Sequence, residues 1–333
     1  MNANLADVLK DLRTPKKLGR LVVAPSFVAG EFDSHAVDAP FLFFHEGRYQ
    51  MLYTGWDTVG YRTGLATSTD LLQWKKEGLV LDRGGKGALT EFNASLTSIL
   101  RENALYGRGD LKQVGGRYVG TYHAYPEKGY EAGPAVIGLC LGDDLRHWEV
   151  LPWVLRAEEG AAWESGGLYK SWLMEEGGTY YLSYNAKDRA EGKWREQIGV
   201  AVSDDLERWE RYAGNPVLGN GPAGSLDELF ASDPCVLRHG DWWVMFYYGL
   251  DAQGRAQDSV AFSADLLHWQ KSKEILIPVG PPGSVDTRYA HKPGLVAKDG
   301  RLYHFYCAVR PARDGDTGAV QHPEVRGISV AHN

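Results

Sequence analysis

The chain has 333 residues, a formal net charge of −7 and no basic block or acidic tail, so nothing in its charge points to nucleic acid or to an anionic membrane surface. No run approaches the ~20 apolar residues of a membrane span, and the first residues lack the apolar core and small-residue cleavage site of a secretory signal. Aromatics at 12%, with 40 Gly and 15 Pro, suit many short strands and tight turns and argue against a mainly helical protein.

Taken in chain order, the first element is the one convincing helix. In NANLADVLKDLRT, Leu5, Val8, Leu9 and Leu12 fall at helical spacing before Pro15. Five hairpins follow: PFLFFHEGRYQMLYTGW, DLKQVGGRYVGTYHAY, LYKSWLMEEGGTYYLSYNA, PCVLRHGDWWVMFYYGL and PGLVAKDGRLYHFYCAV. Each sets β-branched and aromatic residues on both sides of a Gly-containing turn, a strong hairpin signal. A third strand succeeds each hairpin (TGLATS, AVIGLCLG, QIGVAVS, DSVAFS and RGISVAH). After the first four comes one phrase in four versions, STDLLQW, GDDLRHW, SDDLERW and SADLLHW, whose tryptophans Trp74, Trp148, Trp209 and Trp269 are 74, 61 and 60 residues apart.

That period suits one four-stranded sheet with its loops. The expected architecture is therefore all-β: a five-bladed β-propeller over 21–333, read as one domain, with a short N-terminal helix and lead-in over 1–20. The repeated phrase is expected to form the outer corner of each blade, its Asp bonded to turn amides and its Trp packed between blades. Asp70, Asp144, Asp205 and Asp265 are accordingly structural, because catalytic residues should break a repeat rather than recur in it. Cys140, Cys235 and Cys307 all fall in strand-like runs, which favours buried free thiols over a disulfide framework or a zinc site.

In a propeller the innermost strands point one end into a central channel, so the residues at their starts converge there. Those starts read SHAVDAP, GRGDL, WESGG, ASDPC and DTRYAHKP. They supply Asp38, Asp110, Glu164, Asp233 and Asp286, beside His35, Arg108, Arg288 and His291. Like charges around one mouth push their pKa values apart.

At these residues the chain resembles the five-bladed β-propeller glycoside hydrolases. These comprise family 43, the related families 32 and 68, and the mannoside phosphorylases of family 130. The resemblance rests on the five hairpins, on the Asp, Asp and Glu of the first three strand starts, and on GLATSTDLLQW. It implies Asp38 as general base, Asp110 as the residue that orients the acid and tunes its pKa, and Glu164 as general acid. Glycosidic cleavage needs such a protonated carboxyl and an ionised partner, and a separation of roughly 6.5–9.5 Å between them gives inversion. Families 32 and 68 are similar but carry Arg-Asp-Pro and Glu-Cys where this chain has Gly-Asp-Leu (109–111) and Glu-Ser (164–165). Family 43 is the nearest by motif, although Asp-Ala-Pro and Glu-Ser-Gly stand here where Asp-Pro and Glu-Gly-Pro are common.

Simpler readings stand beside these. Asp233 before Pro234 and Asp110 after Gly109 also suit turn caps; Asp33 is an alternative base to Asp38; and Glu164, next to Trp163, suits the raised pKa of an acid. His291 reads equally as a buried histidine or as a ligand of a channel-centre ion such as calcium. No other cofactor or metal is expected. Trp56, Tyr61 and Trp163 are expected to stack on sugar faces, and His35, Asp233, Arg288 and His291 to line the site. Long loops at 82–109 and 276–290 are expected to close the pocket over one terminal sugar.

The expected function is that of a cytoplasmic, inverting, exo-acting glycosidase. By resemblance its substrate is a small carbohydrate ending in a furanose or pentose, of arabinofuranose, galactofuranose or xylose type. Two alternatives stay open: a phosphorylase of family 130 type, for which Arg288, His291 and Lys292 would bind phosphate, and a non-catalytic sugar-binding or scaffold propeller.

Overall fold

The computed structural model describes residues 5–333. Its one α-helix, α1 (Leu5–Leu12), buries Val8 and Leu12, the apolar stripe read from the sequence; residues 2–4 of the expected helical stretch lie outside the described residues. Apart from three single 3-10 turns, the regular structure is β.

After β1 (Lys16–Lys17) the strands form five successive antiparallel groups. The first holds β2 (Ala36–His45), β3 (Arg48–Trp56), β4 (Tyr61–Ser68) and β5 (Lys75–Leu81). The second holds β6 (Ser95–Ile99), β7 (Gln113–Val114), β8 (Arg117–Ala124), β9 (Val136–Gly142) and β10 (Glu149–Leu155). The third runs through β11 (Leu168–Glu176), β12 (Thr179–Ala190), β13 (Lys193–Ser203) and β14 (Glu210–Arg211). The fourth is β15 (Phe230–His239), β16 (Trp242–Leu250), β17 (Ala256–Ser263) and β18 (Gln270–Lys271). The last is β19 (Tyr289–Lys298), β20 (Arg301–Pro311) and β21 (Glu324–His332), and β1 pairs with β21 as its outer strand. Within the described residues the strands hydrogen-bond as three sheets, none closed on itself. The first strands β2, β6, β11, β15 and β19 nevertheless touch in that order, and β19 touches β2.

Local chemistry explains the elements. Both central residues of four hairpin turns, Glu46–Gly47, Gly115–Gly116, Gly177–Gly178 and Asp299–Gly300, have positive φ, as the primed turns that match strand twist require. The repeated phrase forms the corner expected of it. Asp70 Oδ1 accepts from the amides of Leu72 and Gln73, and Asp144, Asp205 and Asp265 do the same in their own groups. Trp74 packs edge-on against Phe305 of the fifth group, with ring centroids 5.5 Å apart.

The first strand of the second group lies elsewhere than expected. The hairpin start at GRGDL is preceded by β6, which falls inside the stretch 82–109 read as a loop. All five residues of SLTSI are buried, and they are held by polar contacts. Ser98 Oγ meets Thr121 Oγ1 at 2.7 Å, and Thr97 Oγ1 meets Ser171 Oγ at 3.2 Å. A strand buried through hydroxyls carries no apolar alternation for the sequence to display.

A second repeat braces four groups from the inside. In each, a buried carboxylate accepts a hydrogen bond from a tyrosine 20 residues further on and pairs with a cation from the outermost strand. The sets are Asp33, Tyr53 (3.5 Å) and Lys76 (2.6 Å); Glu164, Tyr184 (2.6 Å) and Arg211 (2.9 Å); Asp227, Tyr247 (3.2 Å) and Lys271; and Asp286, Tyr306 (3.0 Å) and Lys17 (2.6 Å). In the second group Tyr122 donates instead to the Leu151 carbonyl of β10. The brace joins the loop that enters each first strand to the far edge of the same group.

Candidate active site

Every first strand carries an irregularity near its start, where the register slips between Asp38 and Phe41, Leu96 and Ser98, Tyr169 and Ser171, Ser232 and Cys235, and His291 and Gly294. In four of them a non-glycine residue is left-handed: Ala39 (φ 52), Lys170 (φ 40), Asp233 (φ 56) and Lys292 (φ 64). Bulges re-aim side chains, and strain of this kind gathers at functional sites. All four residues line one narrow recess of about 20 Å³, together with Asp38, Thr54, Tyr61 and His123. The recess is the floor of a cavity of about 350 Å³, with which it shares Glu131, Tyr169 and Lys292.

Two glutamates stand in the cavity wall. Glu196, on β13, is buried and accepts a 3.1 Å hydrogen bond from Tyr248. Burial, then the charge of Glu131, pushes its pKa up to about 7. Glu131, on the β8–β9 connection, has φ 49 and accepts from Tyr61 at 3.3 Å and from Lys187 at 3.4 Å. Lys187 lies opposite Glu196 in the β12–β13 register and against the rings of Tyr125, Tyr169 and Trp194. One cavity thus holds a carboxyl that keeps its proton near neutrality and a second carboxylate beside a lysine.

Asp38 sits on the floor as the anion of a buried triad. Its Oδ2 accepts from Lys292 at 2.8 Å and Arg326 at 3.1 Å, and its Oδ1 from the Ala39 amide at 2.8 Å. Burial alone would raise its pKa, but Lys292 and Arg326 overcome this and hold it well below the carboxylate range. A carboxylate so stabilised as the anion is a weak base. Asp233, also on the floor, accepts from Asn185 at 2.8 Å and Ser232 at 3.2 Å through Oδ1, and burial raises its pKa. Tyr61 reaches the floor, and His291 lines the cavity wall. Burial, reinforced by Lys292, lowers the pKa of His291 to about 3, which makes it a neutral imidazole.

Other sequence-derived candidates lie outside the cavity. Asp110 is 39% exposed in its side chain, pairs with Arg108 at 3.0 Å, and bridges Phe44 near the far end of β2. Six residues from Asp38 at ~3.3 Å each, that is roughly 20 Å away. Glu164, 1% exposed, is the third group's brace, and Asp33 is the first group's; by the rule that catalytic residues break the repeat, both belong to structure. Trp163 stacks on Tyr184 behind Glu164, with centroids 6.1 Å apart. Trp56 packs on Tyr61 and Tyr130 from outside the cavity lining. His35 faces His322 with centroids 5.7 Å apart, and Arg288 pairs with Glu324 at 3.4 Å, half exposed.

The residues around His291 do not fit a channel cation: its Nδ1 meets the Cys307 carbonyl at 3.1 Å, and its charged neighbours include Lys292 and Arg326. Among the described residues no cluster of three His, Cys, Asp or Glu side chains is arranged to hold a metal. No helix there is long and apolar enough to cross a membrane. A larger groove of about 830 Å³ runs past Leu81, Trp148 and Leu151 with Asp82 as its one carboxylate, so it lacks the paired acids of the smaller cavity.

Residues 110–280 match the family described as glycosyl hydrolases family 32 N-terminal domain. The chain belongs to this family. Membership lies within the group that the strand starts resemble, while the closer placement with family 43 is not carried by this match. Two solved structures share the fold of this family 32 chain over nearly its whole length. A protein described as a glycoside hydrolase is 26% identical with a TM-score of 0.82, covering 100% of this chain and 95% of its own. A second, described as a complex of BT0996 and RGII, is 27% identical with a TM-score of 0.83, covering 99% and 94%. A beta-xylosidase of Xylanibacter ruminicola is 24% identical over 199 residues, 53% of this chain and 54% of that protein. The chain spans about 60% or less of the length of the curated relatives it matches.

The glutamates of the cavity escaped the sequence reading. Glu131 lies in YPEKGYEAGP and Glu196 in EGKWREQ, charged stretches that read as solvated loops. The signal available was length: β12 and β13 run 12 and 11 residues, beyond what the outer corner requires.

Proposed function

We propose that the protein is an exo-acting glycoside hydrolase that releases one terminal furanose or pentose from a short oligosaccharide. In this reading the five groups are the blades of a five-bladed β-propeller, 21–333 is its catalytic domain, and 1–20 is a lead-in whose β1 edges the fifth blade. The observation that carries the reading is the pair Glu131 and Glu196 in one aromatic-walled cavity, the second with its pKa raised to about 7.

Glu196 gives its proton to the glycosidic oxygen, so the leaving group departs as an alcohol. Glu131 takes a proton from the water that attacks the anomeric carbon, and the sugar leaves with its configuration inverted. Asp38, fixed as an anion, accepts hydrogen bonds from the sugar. Tyr169, Tyr248 and Trp194 give apolar faces for its ring.

An aryl furanoside and pentopyranoside panel, with and without phosphate, tests the reaction. Phosphate-independent release of one sugar is expected, with NMR of the first anomer showing inversion. Turnover only with phosphate would replace hydrolysis by phosphorolysis. Lys292 and Arg326 already hold Asp38 and Lys187 already holds Glu131, which favours water as the acceptor. Because Glu196 must be protonated to act, kcat/KM on a natural disaccharide is expected to fall tenfold per pH unit above about pH 7. A flat profile between pH 6 and 9 would remove Glu196 from the acid role.

A further inference from the structure

Lys170 has no part in the mechanism above. It is 6% exposed, it is held left-handed by the bulge of β11, and it lines the floor recess. Its backbone amide donates to His123. Its ammonium makes no hydrogen bond or ion pair with the described residues, whereas Lys292, the corresponding residue of the fifth group, is tied to Asp38. Beside it stands Asp233, whose Oδ1 takes both of its side-chain donors, leaving Oδ2 for the recess. Burial lowers the lysine's pKa, and the nearby charges of Asp233 and Asp38 act against that. A buried ammonium with no partner is costly, and nothing in the packing of β11 calls for one.

The recess of about 20 Å³ has room for one oxygen, since a water needs roughly 10–15 Å³ by that measure. A carboxylate, with two oxygens, does not fit. A hydroxyl does, and it alone accepts from an ammonium while donating to a carboxylate. With the anomeric carbon held at Glu131 and Glu196 in the wall, the group of a furanose that reaches deepest is the exocyclic hydroxymethyl, on the far side of the ring.

We infer that Lys170 and Asp233 form a single-hydroxyl socket that recognises the terminal primary hydroxyl of a pentofuranose and so selects the sugar. This rests on the hydrolase reading and names its substrate class. A site built to bond one hydroxyl rejects the analogue lacking it by factors of about 10⁴–10⁵.

The test compares 4-nitrophenyl arabinofuranosides with their 5-deoxy analogues on wild type and Lys170→Met, following both kcat/KM and the ligand-induced rise in Tm. Wild type is expected to prefer the parent by at least ~100-fold. Lys170→Met should erase most of that preference by losing the parent and keeping the deoxy compound, and its own Tm should hold or rise because a buried unpaired charge is gone. The 5-deoxy compound on wild type tests the socket with no variant at all. Equal handling of the two by wild type, or a preference surviving in Lys170→Met, overturns the socket while hydrolysis itself leaves the reaction reading in place. A Tm shift by the parent alone, without turnover of any glycoside, supports the socket and sinks the reaction. No shift and no turnover with either compound overturns the socket, and the remaining glycosides of the panel then decide the reaction separately.

Discussion

Glu196→Gln is expected to lower kcat on a natural disaccharide by roughly 10²–10⁴-fold and, above pH 7, to make the protein more stable. Gln keeps an acceptor for Tyr248 but has no proton to give. An aryl glycoside with a good leaving group should retain much more of its rate, because its departure needs less protonation. The stability effect follows from the same burial. Between about 4.5 and 7 the folded protein binds a proton at this site that the unfolded chain has released, so stability falls as pH rises through that window. Once above it the full cost is present, on the order of 3 kcal/mol for a shift of this size. Gln does not ionise, so thermal denaturation should show the variant level with wild type near pH 4 and higher at pH 8. Equal activity on the disaccharide would remove Glu196 from catalysis, and equal Tm at both pH values would mean the carboxyl is not desolvated.

Glu164→Ala is expected to do the reverse: a large loss of stability with the chemistry intact. The substitution strips Arg211 and the Tyr184 hydroxyl of their shared carboxylate inside a closed contact. Breaking a buried ion pair in this way costs about 3–5 kcal/mol, a fall in Tm on the order of 5–10 °C for a domain of this size. At a temperature where the variant is folded, its kcat should stay within a few-fold of wild type. A 10²-fold fall in kcat with Tm unchanged would return Glu164 to the role of acid.

Features governed by neighbours in the chain were legible. Glycines that accept positive φ marked the hairpin turns, Asp side chains that cap amides two and three residues on marked the outer corners, and the apolar spacing of α1 marked the helix. The rule that strand starts converge found Asp38, Asp233 and His291 in or beneath the cavity, and Tyr61 with them. It failed for Asp110 because β6 is buried through serine and threonine and escaped notice, which displaced the start of the second group. Its failure at Glu164 has another cause. That carboxylate obeys a repeat visible only by counting 20 residues upstream of Tyr53, Tyr184, Tyr247 and Tyr306. Glu131 and Glu196 were hidden because their surroundings, rich in Lys, Glu and Gly, look like exposed loop until the long β12–β13 hairpin folds them over the channel.

The pairing of β1 with β21, Lys16 to His332 and Lys17 to Ala331, bears on how the protein is made. Residue 17 must wait for residue 331 to leave the ribosome before its backbone groups find their partners. Until then β21 is an open edge, able to accept a strand from another nascent chain. A contact of such separation is expected to form late and slowly. If it is absent from the transition state, strengthening it would slow unfolding while leaving folding little changed. The lifetime of the finished molecule then hangs on a two-residue strand, and exchange of the Leu18 amide, which donates to the Val330 carbonyl, is where the first opening of the ring would be seen.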